Sequence, residues 1–335
     1  MIKKYPLYLT FLICLVACTN KQVTEQITYK AISEDLLASI EPKTSGDSLY
    51  SLPSDSGTLV YVQDNYLYLL HNQKKDSSLF IEVRDKNNNS LLYRYSTHDE
   101  TLLVPLVTRN GACFTIHDVL THKIISLDLD GAVHHDNYKP TVNSTNISSE
   151  RILQFEDKLV FLNPDSYEEG SERILFSNSN WSYKEKKVPF NSANVIHGEL
   201  ICRPDNTKLA FIPDNFNEIE IFTNDGSLEK KIGFPHQIKQ KVNFAEINGK
   251  KTYYYVSPLV ECFSSACSGK DNMIFSYIDD NHIPYIIMMD WEGNIGARIA
   301  SHGKVKALSL SDNEDIIYSW ERADDKETLW AYVVN

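Results

Sequence analysis

Three observations predict an all-β chain that closes as a six-bladed β-propeller, with antiparallel blades and N-terminal strand closure. Runs of four to eight aromatic and branched residues alternate with Asn, Asp, Gly, Ser and Pro from residue 57 onward. A hairpin pattern recurs with starts at Ile81, Ile124, Ile174, Ile219, Ile286 and Leu329. The intervals are 43, 50, 45, 67 and 43 residues, and four of the five approach the length of one four-stranded blade. A four-stranded sheet has two apolar faces that it cannot bury alone, and radial packing of neighbouring sheets buries both. Two β-sandwiches are the structural alternative.

The strand runs are explicit. Tyr66–Leu70 reads YLYLL, Lys158–Leu162 KLVFL, Lys208–Ile212 KLAFI and Thr252–Val256 TYYYV. Asn- and Asp-rich junctions suit hairpin turns because these residues tolerate left-handed backbone angles. Reversals are expected at Asp128–Gly131, Asn224–Gly226 and Trp291–Gly293. The 67-residue interval holds the CFSSAC segment and a loop insertion. The sixth unit stops after its third strand, so an N-terminal segment must finish it or leave an open edge. Gln26–Ile32 and Leu49–Val62 are both candidates. Trp181, Trp291, Trp320 and Trp330 recur near hairpins and read as wedges between blades.

The first 17 residues read as a signal peptide. Lys3 and Lys4 precede an apolar run of 11 residues, LYLTFLICLVA, which is too short to span a membrane as a helix. The run ends in Leu-Val-Ala-Cys. This resembles a bacterial lipobox, in which the thiol of Cys18 receives a diacylglycerol. Residues 18–56 are then a lipidated N-terminus, a polar tether and a possible closing segment. Ser33 can cap a short helix within Ile32–Ile40, whose Leu36, Leu37 and Ile40 share one face. Residues 57–335 form the propeller domain. The expected partner surface is the membrane, reached through the lipid. Thr19 after the cysteine and the absence of a compact acidic export signal point to the outer membrane, periplasmic side, with the cell surface as the alternative.

Composition narrows the functional classes. Apolar residues make up 42% and charged residues 23%, which excludes a wholly disordered or collagenous chain. The net charge of -12 argues against general binding to nucleic-acid phosphates. No G-x-S-x-G elbow, H-E-x-x-H helix, P-loop or dinucleotide fingerprint occurs. No catalytic residue, metal ligand or cofactor is therefore assigned. Cys262 and Cys267 fit either a small-loop disulfide or two buried thiols near a strand end. His236, Lys239, Tyr254 and Lys270 are candidate ligand or partner contacts. His236 and Lys239 belong to a local basic spot, PHQIKQK, and Tyr254 to a strand that shows side chains on both faces. His134-His135-Asp136 and the KEKK run at 184–187 read as solvated turns.

Ile201–Pro235 resembles a blade of the TolB-like six-bladed propellers. Tyr253–Asn335 resembles, more specifically, lipoproteins of that class from Bacteroides and related bacteria. The matching features are Tyr253–Tyr255, Cys262, Ser268-Gly269-Lys270 and the turn Asp290-Trp291-Glu292-Gly293-Asn294. The glycine-rich segment that many relatives carry early in the domain has only Thr108–Ala112 as its counterpart. The resemblance implies the fold and an envelope address. Together these readings predict a lipid-anchored binding or scaffold module that recognises an envelope protein or glycan. A periplasmic hydrolase or lyase acting on a peptide or glycan, and a structural assembly factor, are the alternatives.

Overall fold

In the computed structural model, the described residues are 27–334 without 54–57, 74–77, 97–104, 111–112, 119, 129–138, 146, 148, 150, 156–157, 164–171, 178–196, 237–238 and 248. Cys18, Trp181, His134–Asp136 and the KEKK run lie outside them.

The chain begins with β1 (Thr28–Ala31), α1 (Glu34–Ser39) and β2 (Asp47–Pro53). Blade one is β3 (Thr58–Gln63), β4 (Tyr66–Gln73), β5 (Ser78–Asp85) and β6 (Leu91–Ser96). Blade two is β7 (Pro105–Asn110), β8 (Cys113–Asp118), β9 (Lys123–Asp128) and β10 (Thr141–Ser144). Blade three contains β11 (Ile152–Phe155), β12 (Lys158–Leu162) and β13 (Ile174–Phe176). Blade four is β14 (Gly198–Cys202), β15 (Lys208–Pro213), β16 (Glu218–Thr223) and β17 (Leu228–Gly233). A hairpin of β18 (Val242–Ile247) and β19 (Lys250–Tyr255) follows. Blade five is β20 (Phe263–Ser268), β21 (Asn272–Ile278), β22 (Pro284–Asp290) and β23 (Ile295–Ala300). Blade six is β24 (Lys304–Leu310), β25 (Ile316–Ala323) and β26 (Lys326–Val333), with β2 as its fourth strand.

This is the expected six-bladed propeller. Ile81, Ile124, Ile174, Ile219, Ile286 and Leu329 all fall in the third strand of their blades, so the repeat was read in the correct phase. Each pair of neighbouring blades shares one apolar cluster. Tyr68 and Phe114 join blades one and two, and Ile124 and Phe161 join two and three. Leu153 and Phe211 join three and four, and Ile221 and Phe275 join four and five. Ile274 and Leu308 join five and six. The last seam closes the ring: Val60 and Leu69 of blade one pack on Trp320 and Leu329 of blade six. Trp320 is fully buried, and its Nε1 donates to the Thr58 carbonyl at 3.1 Å. The Val62 amide donates to Ser309 Oγ at 3.0 Å across the same seam.

From residue 28 onward the N-terminal segment runs as a belt along blades four, five and six. β1 adds parallel to β17, the one parallel strand pairing among the described residues. Ser33 caps α1 as expected, its Oγ accepting from the Leu36 amide at 3.1 Å. Ile32 and Leu37 sink into the cluster between blades four and five. Lys43 bridges to Ile299 of blade five, and β2 then pairs antiparallel with β26. The closing strand thus overlaps the start of the second candidate segment, whose later residues belong to β3, while the first supplies β1.

The 67-residue interval holds both expected features: the CFSSAC segment, whose Phe263–Cys267 portion lies in the innermost strand of blade five, and an insertion, the β18–β19 hairpin. Of the two readings of its cysteines, the small-loop disulfide is corrected. Cys262 and Cys267 are free thiols. Cys262 lies just before β20 and Cys267 near its end, with an extended run and one register shift, between Phe263 and Ala266, separating them. A disulfide needs Cα atoms within about 7 Å. Cys262 accordingly packs toward blade four and Cys267 toward blade six.

The Asp290–Asn294 turn forms as its sequence suggests. Asp290 Oδ1 accepts from the Glu292 and Asn294 amides at 2.9 and 2.7 Å. Gly293 has φ +85°, which an L side chain would strain, and a Cβ there would meet Ile232. Trp291 is buried in the seam between blades four and five. Replacing Trp320 by Ala should cost about 3–5 kcal/mol, because it empties the closing seam. Denaturant unfolding of Trp320→Ala beside exposed Leu49→Ala measures this; equal losses would contradict the seam's role.

Candidate functional site

Antiparallel strands alternate direction, so the loops between second and third strands share one end of the ring with the blade-to-blade connectors. Both prominent cavities open at this end. The first has a volume of about 370 Å³ and lies where blades three and four meet. Arg173, just before β13, forms one wall. Phe211, Pro213 and Phe216 supply an apolar side, and Glu220, Lys231 and Lys239 a charged one.

Glu220 organises the charged side. Its Oε2 accepts from Arg173 Nε at 2.9 Å, and its Oε1 pairs with Lys231 Nζ at 3.1 Å. Burial opposes ionisation of Glu220, but Arg173 and Lys231 outweigh it and hold the carboxyl below its usual range. The Arg173 guanidinium also lies over the Phe211 ring, 5.0 Å from its centroid. With Glu218, the lining carries three cationic and two anionic side chains, a local positive excess on a chain of net charge -12.

The connector after blade four is stapled in place beside this cavity. Gln240 Nε2 donates to the Lys241 and Val256 carbonyls, both at 3.0 Å, and its Oε1 accepts from the Val260 amide at 2.8 Å. These bonds pin the base of the β18–β19 hairpin. Tyr255, at the end of β19, packs edge-on against Phe216 with centroids 5.6 Å apart. Burial pushes its phenol well above the ordinary range, with Arg173, Asp214 and Cys262 in electrostatic reach.

A second cavity, of about 350 Å³, lies under α1 beside blade five. Glu34, Asp279 and Asp280 make it acidic, and Arg298 closes one side by stacking on Tyr285 at 3.9 Å. The mouth of the central channel adds a third feature. Burial pushes the Asp214 carboxyl up to about 6, aided by Glu199 and Glu261 and opposed by Arg151 and His197. Glu199 pairs with Arg151 at 3.1 Å and Glu261 with Lys304 at 2.7 Å. Among the described residues, no group of three His, Cys, Asp or Glu side chains could hold a metal ion.

The candidate contacts from sequence separate here. Lys239 is exposed on the rim of the first cavity. Tyr254 is 45% exposed on β19, above the same end. His236 is buried, its Nδ1 2.8 Å from Asp280 Oδ1, so it latches the connector to blade five rather than facing solvent. Lys270 follows β20 at the opposite end, where its carbonyl accepts from Arg203 Nε at 2.8 Å. Burial raises the Cys262 thiol to about 12, leaving it protonated and inert near neutral pH. Arg173, Asp214, Phe216 and Glu220 were missed. Asp214 and Phe216 lie in the strand-end sequence IPDNF, whose clustered turn residues mark a loop but carry no chemical signature.

No family model matches this chain, and no curated protein matches it. Among solved structures, it is similar to a protein of Bacteroides fragilis NCTC 9343 whose export is itself an inference. The identity is 12% and the TM-score 0.45, over 92% of this chain and 100% of that chain. A likeness at that level carries no argument about function, and the fold rests on the strand pairing above.

Asp214 has a raised folded-state pKa, so its stability contribution is fully present below about 3.8 and lost as pH rises through about 6. Asp214→Asn should remove that loss. The stability difference between wild type and variant should change between pH 4 and 6 and stay flat above; a difference independent of pH would contradict the burial of this carboxyl.

Proposed function

We propose that this chain is a lipid-anchored envelope protein that binds a protein or glycan without chemically altering it. The lipobox-like Leu-Val-Ala-Cys18 sequence and the resemblance of Tyr253–Asn335 to Bacteroides-type lipoproteins support the address. In this reading the diacylglycerol holds the chain at the outer membrane, on the periplasmic side. Among the described residues, no helix is long and apolar enough to cross a membrane.

A closed propeller is consistent with a binding, scaffold or interaction module, because a rigid ring presents adjustable loops at its ends. One observation carries the reading further. The first cavity joins a fixed guanidinium, an exposed ammonium and aromatic walls at the loop-bearing end. That set recognises and orients a ligand. It does not place a nucleophile beside a general base.

The raised pKa of Asp214 favours a second reading, a hydrolase or lyase using that carboxyl as a general acid near the channel mouth. Its neighbours weigh against this, since Glu199 and Glu261 are each paired with a cation.

Two measurements test the proposal. Cys18→Ala should abolish incorporation of a labelled fatty acid and release the chain from the membrane fraction. Unchanged membrane retention and no label on wild type would contradict the anchor. Capture from envelopes in mild detergent should recover one partner set with wild type and Lys270→Glu, and lose it with Lys239→Glu. Recovery indifferent to Lys239, or turnover of an envelope peptide or glycan that Asp214→Asn abolishes, would overturn non-catalytic binding at this end.

A further inference from the structure

We infer that the cavity between blades three and four recognises a peptide carboxylate carried on an apolar stem. The inference rests on the binding-module reading above and gives that site a ligand class.

The donors of the site lack an acceptor. Glu220 spends both oxygens on Arg173 Nε and Lys231 Nζ, so it fixes the guanidinium without saturating it. Arg173 Nη1 is buried and has no hydrogen-bond partner among the described residues. The Tyr255 hydroxyl, also buried, has no partner among the described residues either; its ring packs behind Phe216 of the lining, within electrostatic reach of Arg173. Buried polar groups in folded proteins are nearly always satisfied, so an unsatisfied guanidinium N–H in the lining and an unsatisfied hydroxyl just behind it call for missing acceptors. A carboxylate supplies acceptor oxygens in the charge-assisted geometry that a guanidinium favours. Lys239, exposed at the rim, adds attraction at longer range.

The remaining groups favour a peptide over a glycan. Sugar hydroxyls need several open donors and acceptors at once, and the amide groups here are partly spent on the protein itself. Asn215 Nδ2 donates to the Val260 carbonyl at 2.6 Å, and Asn217 Nδ2 to the Phe234 carbonyl at 2.5 Å. Gln240 is spent on the hairpin base. What is left is apolar wall, with Phe211, Pro213 and Phe216 beside the charged edge. Above it, the β18–β19 hairpin pairs with no third strand among the described residues, so its edges can receive an extended chain leaving the cavity. The volume of about 370 Å³ lies in the range of small-ligand pockets.

Calorimetric titration of the full mature chain tests this with three probes: acetyl-Ala-Ala-Leu as the free acid, the same peptide as the C-terminal amide, and glucuronic acid. The free acid should bind about tenfold or more tightly than the amide, and more weakly as salt rises. Arg173→Gln should reproduce the loss seen with the amide. Tyr255→Phe deletes only the hydroxyl and leaves Glu220 paired, so it tests the site even if Arg173→Gln fails to fold; it should cost about threefold to tenfold. Lys270→Glu, at the opposite end, should change nothing. Equal binding of acid and amide, binding indifferent to Tyr255→Phe, or preference for glucuronic acid would each overturn the peptide-carboxylate assignment. Failure of all three probes would overturn it as well. The binding-module reading is judged separately, by whether envelope capture still depends on Lys239.

Discussion

Face-to-face packing between neighbouring blades is the interaction on which this molecule depends. Each sheet has two apolar faces and can bury them only against its two neighbours. The six clusters at the six seams are therefore not independent cores. They form one closed circuit. Blade one begins at Thr58 and blade six ends at Val333, so the seam between them joins the two ends of the ring and carries Trp320, the largest fully buried side chain among the described residues. β2 completes the outer edge of blade six from the other end of the chain. Local strand propensity makes the blades, but ring closure makes them stable together.

The same closure assigns roles to the two ends. At one end, Glu292 in the β22–β23 turn pairs with Lys208 at 3.0 Å and with Lys230, while Lys30 of the belt reaches Asn294 at 2.6 Å. These contacts tie blade four, blade five and the N-terminal segment, and they hold the Glu292 carboxyl down at about 2. Its side chain is well exposed, so solvent screens much of that attraction and the network matters more for geometry than for stability. At the other end, connectors and loops leave space. Arg173, Glu220 and Lys231 converge there because three strands from two blades aim at one point.

Legibility in the sequence followed the range of the interactions. Patterns set by neighbours along the chain could be read. The third strand of every blade, the Ser33 cap and the Asp290–Asn294 turn all arise within a few residues. The need for a closing strand followed from a missing fourth strand, but its position could not be chosen, because β2 and β1 are similar short extended segments. The Cys262–Cys267 spacing was ambiguous until the segment took its place as an extended innermost strand. The site was hidden for a different reason. Arg173 and Glu220 are 47 positions apart, and neither carries a motif. His236 looked available within a basic run, yet the connector turns it inward onto Asp280.

Hydrogen exchange across the closing seam tests the central claim most directly. It would compare the full chain with a chain that begins at residue 54 and so lacks β1, α1 and β2. Closure through the N-terminal belt predicts that β26 and the Trp320 region lose protection first, and that the loss spreads into blades one and five. Equal protection of blade six in both chains would contradict the account, since the ring would then close without its first segment.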